Sequence, residues 1–456
     1  WGLGLIDNSG TTAKKDQALW EYKKDSQNEK ATQFMGAAGI THRYFFKNNA
    51  YINSTLAISA SGLQFKTDQL DYNLTVNPEN EIKNTNYNIT FKTIVNKKFS
   101  KTHTNRTGFS AVGMHYDLLL KEAQNAAQLE TAVSKKGFST LLSGFTNSTF
   151  NFNKITLNAG VNAQLFTLNN AYTIEPRLGV SYQLNQKNKF SFGYGLHSRI
   201  EQLHTYFVKD PLTNSTPNKE LDFTKAQHFV LSYDWNISDK LHLKVEPYFQ
   251  YLYDIPYIKN TTTSLLNVEK DWFENATYTN GGKGKNYGID LTLEKYINNG
   301  LYYLFTASVF NSEYKTNTNT WYNTRYNRNY LVNFLIGKEY TLGKRNQNLL
   351  NVNLRFSLQG GDRYSLIDTV NSNLTQDVVY NQTTPFTEQA ENSFVSHITV
   401  NYQWNKKKTT QKLSLKIINA TNYEEFLGHR YNIKKQQVDL YKEALLIPNL
   451  SYKISF

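Results

Sequence analysis

The chain of 456 residues contains no cysteine, which excludes disulfide scaffolds and thiolate metal sites. No run reaches the roughly 18–20 consecutive apolar residues of a membrane-spanning helix, so a helical membrane protein is excluded as well. The chain begins at Trp1, and no signal peptide follows it. We therefore expect a mature or truncated chain.

The positive charge is the next feature to weigh. A formal net charge of +13 and 14% aromatic residues are compatible with a groove for nucleic acid. The surplus is spread thinly, however, and its densest runs are Lys97-Lys98, Lys344-Arg345 and Lys406-Lys407-Lys408. Each run lies between two strand-like segments, where a solvated turn explains it, so we predict no nucleic-acid partner.

Apolar and polar residues alternate with period two, the pattern of strands with one apolar and one polar face. In 349–359 the even positions are apolar and the odd positions are polar, apart from Leu349. The segments 172–184, 241–251 and 449–456 repeat the pattern. A soluble sandwich gives the same alternation, so this pattern alone does not decide the fold class.

Three further features favour a transmembrane β-barrel. The strands are roughly 10–14 residues long, against about 5–6 in soluble sheets, and tilted membrane strands need about 9–11. Charged side chains on the polar face suit a wet lumen. Tyrosine and tryptophan crowd strand ends, as in Tyr233 with Trp235 and Tyr402 with Trp404, where interfacial aromatic girdles lie.

Connection lengths give an independent indication. Short connections, such as those at 152–154, 297–300 and 405–410, mostly alternate with long ones, such as 197–222 and 359–392. This alternation is typical of an outer-membrane barrel, which has tight periplasmic turns and large external loops.

We place about 17 strands on the sequence. Antiparallel closure needs an even number in bacterial single-chain barrels, and an open edge in lipid is energetically excluded. We therefore expect N-terminal strands outside this chain, residues 1–30 as the remnant of an external loop, and residues 31–456 as barrel. The expected strands are 31–46, 50–66, 85–97, 106–119, 138–151, 155–167, 172–184, 189–197, 223–235, 241–253, 286–296, 301–310, 330–342, 349–358, 393–404, 411–419 and 447–456.

Several segments resemble a known family. The terminal Phe456, with Tyr452 and Ile454 in alternating register, resembles the signature read by the outer-membrane barrel assembly machinery. The segments 174–177, 192–198 and 227–248 resemble the second half of a TonB-dependent outer-membrane receptor. The subgroup that they resemble carries an N-terminal carboxypeptidase-regulatory-like domain.

This resemblance implies a barrel of about 22 strands around a plug domain. Neither the plug nor a TonB-box segment is recognisable in these residues. The implied location is the outer membrane of a Gram-negative bacterium. The implied partners are outer-membrane lipid and lipopolysaccharide, the plug domain, the TonB complex and the assembly machinery, with a surface lipoprotein as a further candidate.

No active site is indicated by the sequence, so we predict a protein that is not an enzyme and has no cofactor or metal. His197 and His204 fall on one predicted loop and are compatible with haem or metal binding, but ordinary structural histidines explain them better. Gly281-Gly282-Lys283-Gly284 resembles a phosphate loop only faintly, because a strand rather than a helix follows it.

Charged residues on the polar face are expected to face the lumen. They either line a channel or hold a plug, and pairing between neighbouring strands is the simpler alternative. The mixture of signs favours a plug over selection of one ion sign. The residues are Glu175, Arg177, Lys244, Glu246, Asp290, Glu294, Arg355, Lys412 and Lys416.

Ligand capture is expected on the external loops, because binding residues concentrate on loops held by a rigid scaffold. Aromatic faces and arginine forks suit sugars, siderophores and peptides equally. Packing between loops, or contact with lipopolysaccharide, is the alternative for any one residue. The candidates are Tyr206, Phe207, Trp272, Phe273, Trp321, Arg325, Tyr326, Arg328, Arg363 and Tyr364.

The expected function is TonB-dependent import of a large, scarce nutrient through a plugged barrel. The ligand would be captured by the external loops and pass through the lumen after the plug rearranges. A passive channel or protein-export pore, and an adhesin or scaffold that acts through its loops, remain open alternatives.

Overall fold

A computed structural model describes residues 2–3, 7–125, 128–210, 213–268, 275–318, 320–344 and 347–456. All seventeen predicted strands are present. We label them β1 (Gln27–Phe46), β2 (Ala50–Leu70), β3 (Val76–Lys98), β4 (His103–Asn125), β5 (Gln128–Phe152), β6 (Ile155–Phe166), β7 (Ala171–Gln183), β8 (Asn188–Arg199), β9 (Thr224–Ser238), β10 (Leu241–Tyr257), β11 (Thr279–Asn298), β12 (Leu301–Lys315), β13 (Tyr330–Leu342), β14 (Asn348–Gln359), β15 (Ser393–Asn405), β16 (Thr410–Ile418) and β17 (Ile447–Ser455).

These strands form one antiparallel sheet in which each strand pairs with its neighbours in sequence. Short strands at Gly2–Leu3 and Asp7–Thr11 add to the outer edge of β1, and Tyr322–Asn323 adds to β12. Within the described ranges β1 and β17 do not pair with each other, so the sheet is not closed there. No helix among the described residues is long and apolar enough to cross a membrane.

The remaining elements lie in the connections between these strands. Two further hairpins pair Arg363–Tyr364 with Glu388–Gln389, and Glu424–Asn432 with Gln437–Ala444. The helical elements are one α-helix, Thr369–Thr375, and the 3-10 turns Gln17–Leu19, Lys23–Ser26, Leu203–Phe207, Pro217–Glu220 and Leu265–Asn267.

The two ends of the sheet differ. At one end, here the turn end, short connections join the strands, and at 299–300 both residues have positive φ (Asn299 at 51° and Gly300 at 78°). This Asn-Gly pair suits a two-residue hairpin whose twist matches the flanking strands. The opposite end, here the loop end, carries the long connections 200–223, 258–278, 316–329, 360–392 and 419–446.

The two faces of the sheet also differ, as the alternation predicts. The apolar face of β14 continues onto its neighbours, because Leu354 lies opposite Ile398 on one side and Ile336 on the other. Arg355, one residue along, lies on the polar face opposite His397. The register thus keeps one apolar face and one polar face across the sheet.

In β3, β4 and β5 this polarity reverses toward the loop end. Near the turn end the exposed apolar side chains include Phe91 and Phe109. Further along that same face, Lys83 Nζ lies 2.5 Å from Asp117 Oδ2. The opposite face there carries the buried Leu118 and Leu120.

This reversed region is covered by residues 200–223, which we call the covering segment; its residues 211–212 lie outside the described ranges. Tyr206, Phe207, Val208, Leu221 and Phe223 are buried against the strands. Together with Leu118, Leu120 and Val133 of the wall they form the largest apolar cluster in the described part of the chain. Burial of these side chains provides most of the local stabilisation.

The predicted bounds were wrong for β10 to β12, since β10 ends at Tyr257 rather than 253, β11 begins at Thr279 rather than 286 and β12 ends at Lys315 rather than 310. They were also wrong for the N-terminal strands, which are longer. β3 begins at Val76 rather than 85, β4 extends to Asn125 rather than 119, and β5 begins at Gln128 rather than 138. The polarity reversal is the physical reason, because a change of face interrupts the alternation that marks a strand. β1 begins at Gln27, four residues before the predicted position.

Glu21 and Tyr22, within the predicted loop remnant 1–30, lie against the hairpin that precedes β17. Asn432 donates from Nδ2 to Glu21 Oε1 at 3.1 Å, and the backbone N–H of Ile433 donates to the Glu21 carbonyl at 2.8 Å. The guanidinium carbon of Arg430 lies 5.7 Å from the Tyr22 ring centroid. The two ends of the open sheet therefore meet at the loop end through these contacts.

Candidate functional site

The loop end holds a cavity of about 610 Å³, which we call the mouth cavity. Five separate stretches of chain line it: 22–24, Arg325, 362–364, 377–380 and 425–431. Three of the predicted ligand-binding residues, Arg325, Arg363 and Tyr364, thus come together in one cavity. Its size is within the range of small-molecule sites.

One wall of the mouth cavity is aromatic. Tyr364 meets His429 edge to face, with ring centroids 4.7 Å apart, and lies 5.7 Å from Phe426. His429 also meets Phe426 at 5.1 Å and Tyr380 at 5.9 Å. Edge-to-face pairs hold such rings in fixed orientations, so this wall provides a preformed surface for a flat ligand.

His429 contributes to this wall as a neutral ring. Burial lowers the pKa of His429 below the ordinary value for histidine, because its charged form loses hydration. The Tyr380 hydroxyl lies 3.0 Å from His429 Nδ1. At neutral pH the wall is therefore uncharged.

Two arginines supply positive charge beside this wall. Arg363 donates from Nε to the Asn327 carbonyl and from Nη2 to Asn329 Oδ1, both at 2.9 Å. These neutral acceptors hold its guanidinium in place. Burial lowers the pKa of Arg363, but an arginine remains charged at neutral pH.

Arg325 lies next to Arg363. The backbone N–H of Arg363 donates to the Arg325 carbonyl at 2.9 Å, and the backbone N–H of Arg325 donates to Asn267 Oδ1 at 3.0 Å. The Arg325 guanidinium carbon lies 5.9 Å from the ring centroid of Tyr326. No ion pair joins either arginine to a carboxylate among the described residues.

Arg328, also a predicted site residue, lies just outside this cavity and has a different environment. Its Nε lies 2.6 Å from Asp362 Oδ1, and Asp362 lines the mouth cavity. Arg328 therefore neutralises an acidic wall residue.

Tyr326 and Trp321 occupy other parts of the loop end. Tyr326 is exposed and lines a second cavity of about 560 Å³, the wall groove, with Glu246, Tyr248 and Asp290 of the polar face. The Trp321 ring lies 4.4 Å from Lys285 Nζ and 5.2 Å from Lys315 Nζ. Both residues remain predictions as ligand contacts.

The other aromatic candidates lie elsewhere. Tyr206 and Phe207, in the covering segment, are 0% and 5% exposed. In this structure they pack between the loop and the wall. The Tyr206 hydroxyl accepts from the Glu201 backbone N–H at 3.0 Å. Trp272 and Phe273 lie outside the described residues.

The residues predicted to face the lumen all lie on the polar face of the sheet. Glu246 stands opposite Asp290, and Lys244 Nζ lies 2.7 Å from Glu246 Oε1. Asp290 accepts from the Ser308 hydroxyl at 2.6 Å. Lys412 stands opposite Gln403, Lys416 opposite Thr399, and Glu294 opposite His242.

Glu175 is the most deeply buried of these residues, at 1% exposure. It accepts from Asn162 Nδ2 at 2.9 Å, Gln164 Nε2 at 2.6 Å and Arg177 Nη2 at 2.8 Å. The backbone N–H of Ser198 also donates to it, at 3.1 Å, as does the Ser198 hydroxyl. Glu175 therefore fixes the end of β8, where the covering segment begins.

The predicted assembly signal lies on the exposed last strand. Tyr452 and Ile454 point to the same face of β17, and Phe456 follows at 96% exposure. Their role in assembly remains a prediction.

Several mouth-cavity residues were missed from the sequence: Tyr22, Tyr380, Phe426 and His429. All four lie in segments predicted to be loops. Nothing local in the sequence indicates that these segments meet.

Among the described residues, no group of three or more histidine, aspartate or glutamate side chains could hold a metal ion. His197 and His228 meet edge to face at 4.9 Å, but no third ligand joins them.

Comparison with solved structures identifies the fold as that of TonB-dependent outer-membrane receptors. The ferric-catecholate import receptor Fiu of Escherichia coli K12 matches with a TM-score of 0.63 at 11% identity, over 95% of this chain and 65% of that one. BauA, the ferric preacinetobactin receptor of Acinetobacter baumannii, gives 0.61 at 13% identity over the same shares.

The ferric yersiniabactin uptake receptor FyuA of Yersinia pestis matches with a TM-score of 0.64 at 10% identity, over 94% of this chain and 62% of that one. The chain thus spans less than two thirds of the length of these receptors. Neither a protein-family model nor a curated protein matches the sequence. The predicted resemblance is therefore confirmed at the level of the fold.

Proposed function

We propose that the protein is an outer-membrane receptor of a Gram-negative bacterium that imports a large, scarce nutrient, such as a siderophore, glycan or peptide, by TonB-dependent transport. The mouth cavity carries this proposal: it lies among the loops of a sheet with the fold of such receptors, and it combines a fixed aromatic wall with two arginines. Rigid scaffolds that present binding loops at one end commonly capture ligands there.

In this proposal the sheet is part of the wall of a closed barrel. The apolar face contacts lipid, which requires that every backbone group be paired. The polar face then lines the lumen and contacts a plug domain through Lys244, Glu246 and Asp290. The turn end faces the periplasm, and the loop end contacts lipopolysaccharide outside.

The proposed path runs from the mouth cavity to the wall groove. Arg325 lines the former and the adjacent Tyr326 lines the latter, so a ligand leaving the mouth cavity meets the polar face next. Rearrangement of the plug, driven by the TonB complex, would open the lumen. We further propose that the assembly machinery inserts the barrel by recognising Tyr452, Ile454 and Phe456. A surface lipoprotein would bind the loops.

Membrane fractionation and conductance test this function. The protein isolated from its host should fractionate with the outer membrane and give no steady conductance in planar bilayers, because a plug closes the lumen. Steady single-channel conductance would support the passive pore instead.

A growth assay tests transport itself. A strain lacking the protein should lose growth on a limiting nutrient that the parent uses, and a strain lacking TonB should show the same loss. Tyr364→Ala with Phe426→Ala should reproduce it, whereas the control Leu374→Ala, on the exposed helix 369–375, should not. Growth unchanged in the deletion strain on every nutrient that requires TonB would contradict the proposal.

A further inference from the structure

The residues that line the mouth cavity include five cations and three carboxylates. Most of its cations have acidic partners: Lys23 Nζ lies 2.8 Å from Glu79 Oε1 and 3.3 Å from Asp377 Oδ2. Lys24 Nζ lies 3.5 Å from Glu29 Oε2, and Arg430 Nη2 lies 3.8 Å from Glu443 Oε1.

Arg325 and Arg363 differ from these cations, because no ion pair or hydrogen bond joins their guanidinium groups to a carboxylate among the described residues. Arg363 is held by an amide and a carbonyl oxygen, and Arg325 lies against a tyrosine ring. The backbone N–H of Arg363 donates to the Arg325 carbonyl, and both residues line the mouth cavity. A cleft whose lining has an excess of positive charge attracts anions.

The acidic residues of the lining do not supply that anion. Asp362 is paired with Arg328, and Asp377 with Lys23. Glu425 is exposed, where water screens its charge. The Arg325 guanidinium, and the N–H groups of Arg363 that Asn327 and Asn329 do not accept, therefore remain available to an acidic group from solution.

We propose that the ligand of the mouth cavity presents an anionic oxygen group next to a flat ring. Arg325 and Arg363 would bind the acid through charge-assisted hydrogen bonds, and Tyr364, Phe426 and His429 would contact the ring. This inference rests on the proposed binding site and narrows its ligand class. A neutral glycan lacks the acidic group and would bind less tightly.

Two matched probes test this inference on the purified full-length protein. Benzoate and benzamide have the same ring and nearly the same size, but only benzoate is charged. By calorimetry we expect benzoate to bind at least about tenfold more tightly, a modest requirement for charge-assisted contacts. Its affinity should fall as salt rises, whereas that of benzamide should not.

Charge-neutral variants assign the effect to residues. Arg363→Gln and Arg325→Gln should each remove most of the preference for benzoate. Arg106→Gln changes the net charge equally near the turn end and should leave the preference unchanged. Heat-modified migration of each variant on gels should match the wild type, which confirms the fold.

The outcomes separate this inference from the proposed function. Equal affinity for both probes, with loss of both in Tyr364→Ala, would overturn the acidic ligand but keep the aromatic site. An unaltered preference for benzoate in both arginine variants would overturn the assignment to Arg325 and Arg363. Failure of wild-type protein to bind benzoate would overturn the inference, whatever the growth assay shows.

Discussion

The N-terminal and C-terminal parts of the sheet fill the loop end in different ways. Strands β1 to β5 are 20 to 25 residues long and continue far toward the loop end, whereas β13 to β17 have between 9 and 13 residues. Three of the long strands, β3, β4 and β5, reverse their polarity there and bury an apolar face under the covering segment. The short strands give way to polar loops that enclose the mouth cavity.

This difference has a physical lesson. An apolar extension of a strand requires a cover, since exposed apolar area is unfavourable in water, and Tyr206 and Phe223 provide it. Loops held by hydrogen bonds and ion pairs, such as Arg328 with Asp362, leave space between them. The same wall therefore supports a closed region and an open cavity side by side.

Removing one side chain of the cover should have the largest effect. Phe223 is 1% exposed, and Phe223→Ala should destabilise the covering segment by about 3–5 kcal/mol, because a large buried ring is replaced by a cavity. Limited proteolysis should then cleave within 200–223 well before the rest of the chain. Leu374→Ala is the control, and equal protection in both variants would contradict the comparison.

Acid should destabilise the covering segment by a similar free energy. Burial lowers the pKa of His204 from 6.5 to about 4, so the folded segment resists protonation. Its stability is full above pH 6.5 and falls by about 1.4 kcal/mol per unit as the pH drops from 6.5 toward 4.

Proteolysis across this pH range, with cleavage sites assigned by mass spectrometry, checks the prediction. His204→Leu should remove the dependence in 200–223. Cleavage near His429 should show its own dependence on acid, because its pKa is also lowered by burial. A covering segment that stays protected at pH 4 in the wild type would contradict the role of His204.

Removing the hydrogen bonds that attach the covering segment to the wall should reduce stability by a smaller amount. Glu175→Ala leaves the half-buried donors of Asn162, Gln164 and Ser198 without their acceptor and should cost about 1–3 kcal/mol. Glu175→Gln keeps one acceptor oxygen and should cost less. Guanidinium unfolding in detergent measures both, and equal losses would show that the hydrogen bonds do not matter.

The smallest effect on stability is expected from a substitution beside the mouth cavity. Arg328 and Asp362 are both 29% exposed, and Arg328→Gln should change unfolding by only about 0.2–1 kcal/mol. The same variant frees a carboxylate in the mouth cavity, so benzoate binding should weaken noticeably. A stability loss as large as that of Phe223→Ala would mean that the loops depend on this pair as the cover depends on its apolar core.

The sequence allowed prediction of strands with uniform alternation to within a residue or two. β14, expected at 349–358, spans Asn348–Gln359, because all its apolar side chains except Leu349 share one face. The predicted β3 was too short because the first residues of the strand, including Pro78 and Glu79, do not continue that pattern. The hairpin Glu424–Asn432 with Gln437–Ala444 was missed inside a predicted loop.

The candidate site was predictable only in part. Arg325, Arg363 and Tyr364 stand out because arginine and aromatic residues on loops suit ligand contact. Their meeting with Tyr22, Tyr380 and His429 depends on how separate loops pack, and no local pattern encodes that. Tyr206 is buried because β4 reverses its polarity. The sequence alternation did not predict this reversal.

The contact between the N-terminal segment and the last hairpin sets an order of events in folding. Neighbouring strands pair with short sequence separation, so hairpins can form one after another with little loss of chain entropy. Tyr22 and Asp439, whose side chains meet at 3.4 Å, are 417 positions apart. This contact requires both margins of the sheet to be in place, so it forms late, and the mouth cavity, which includes Tyr22, is completed only then.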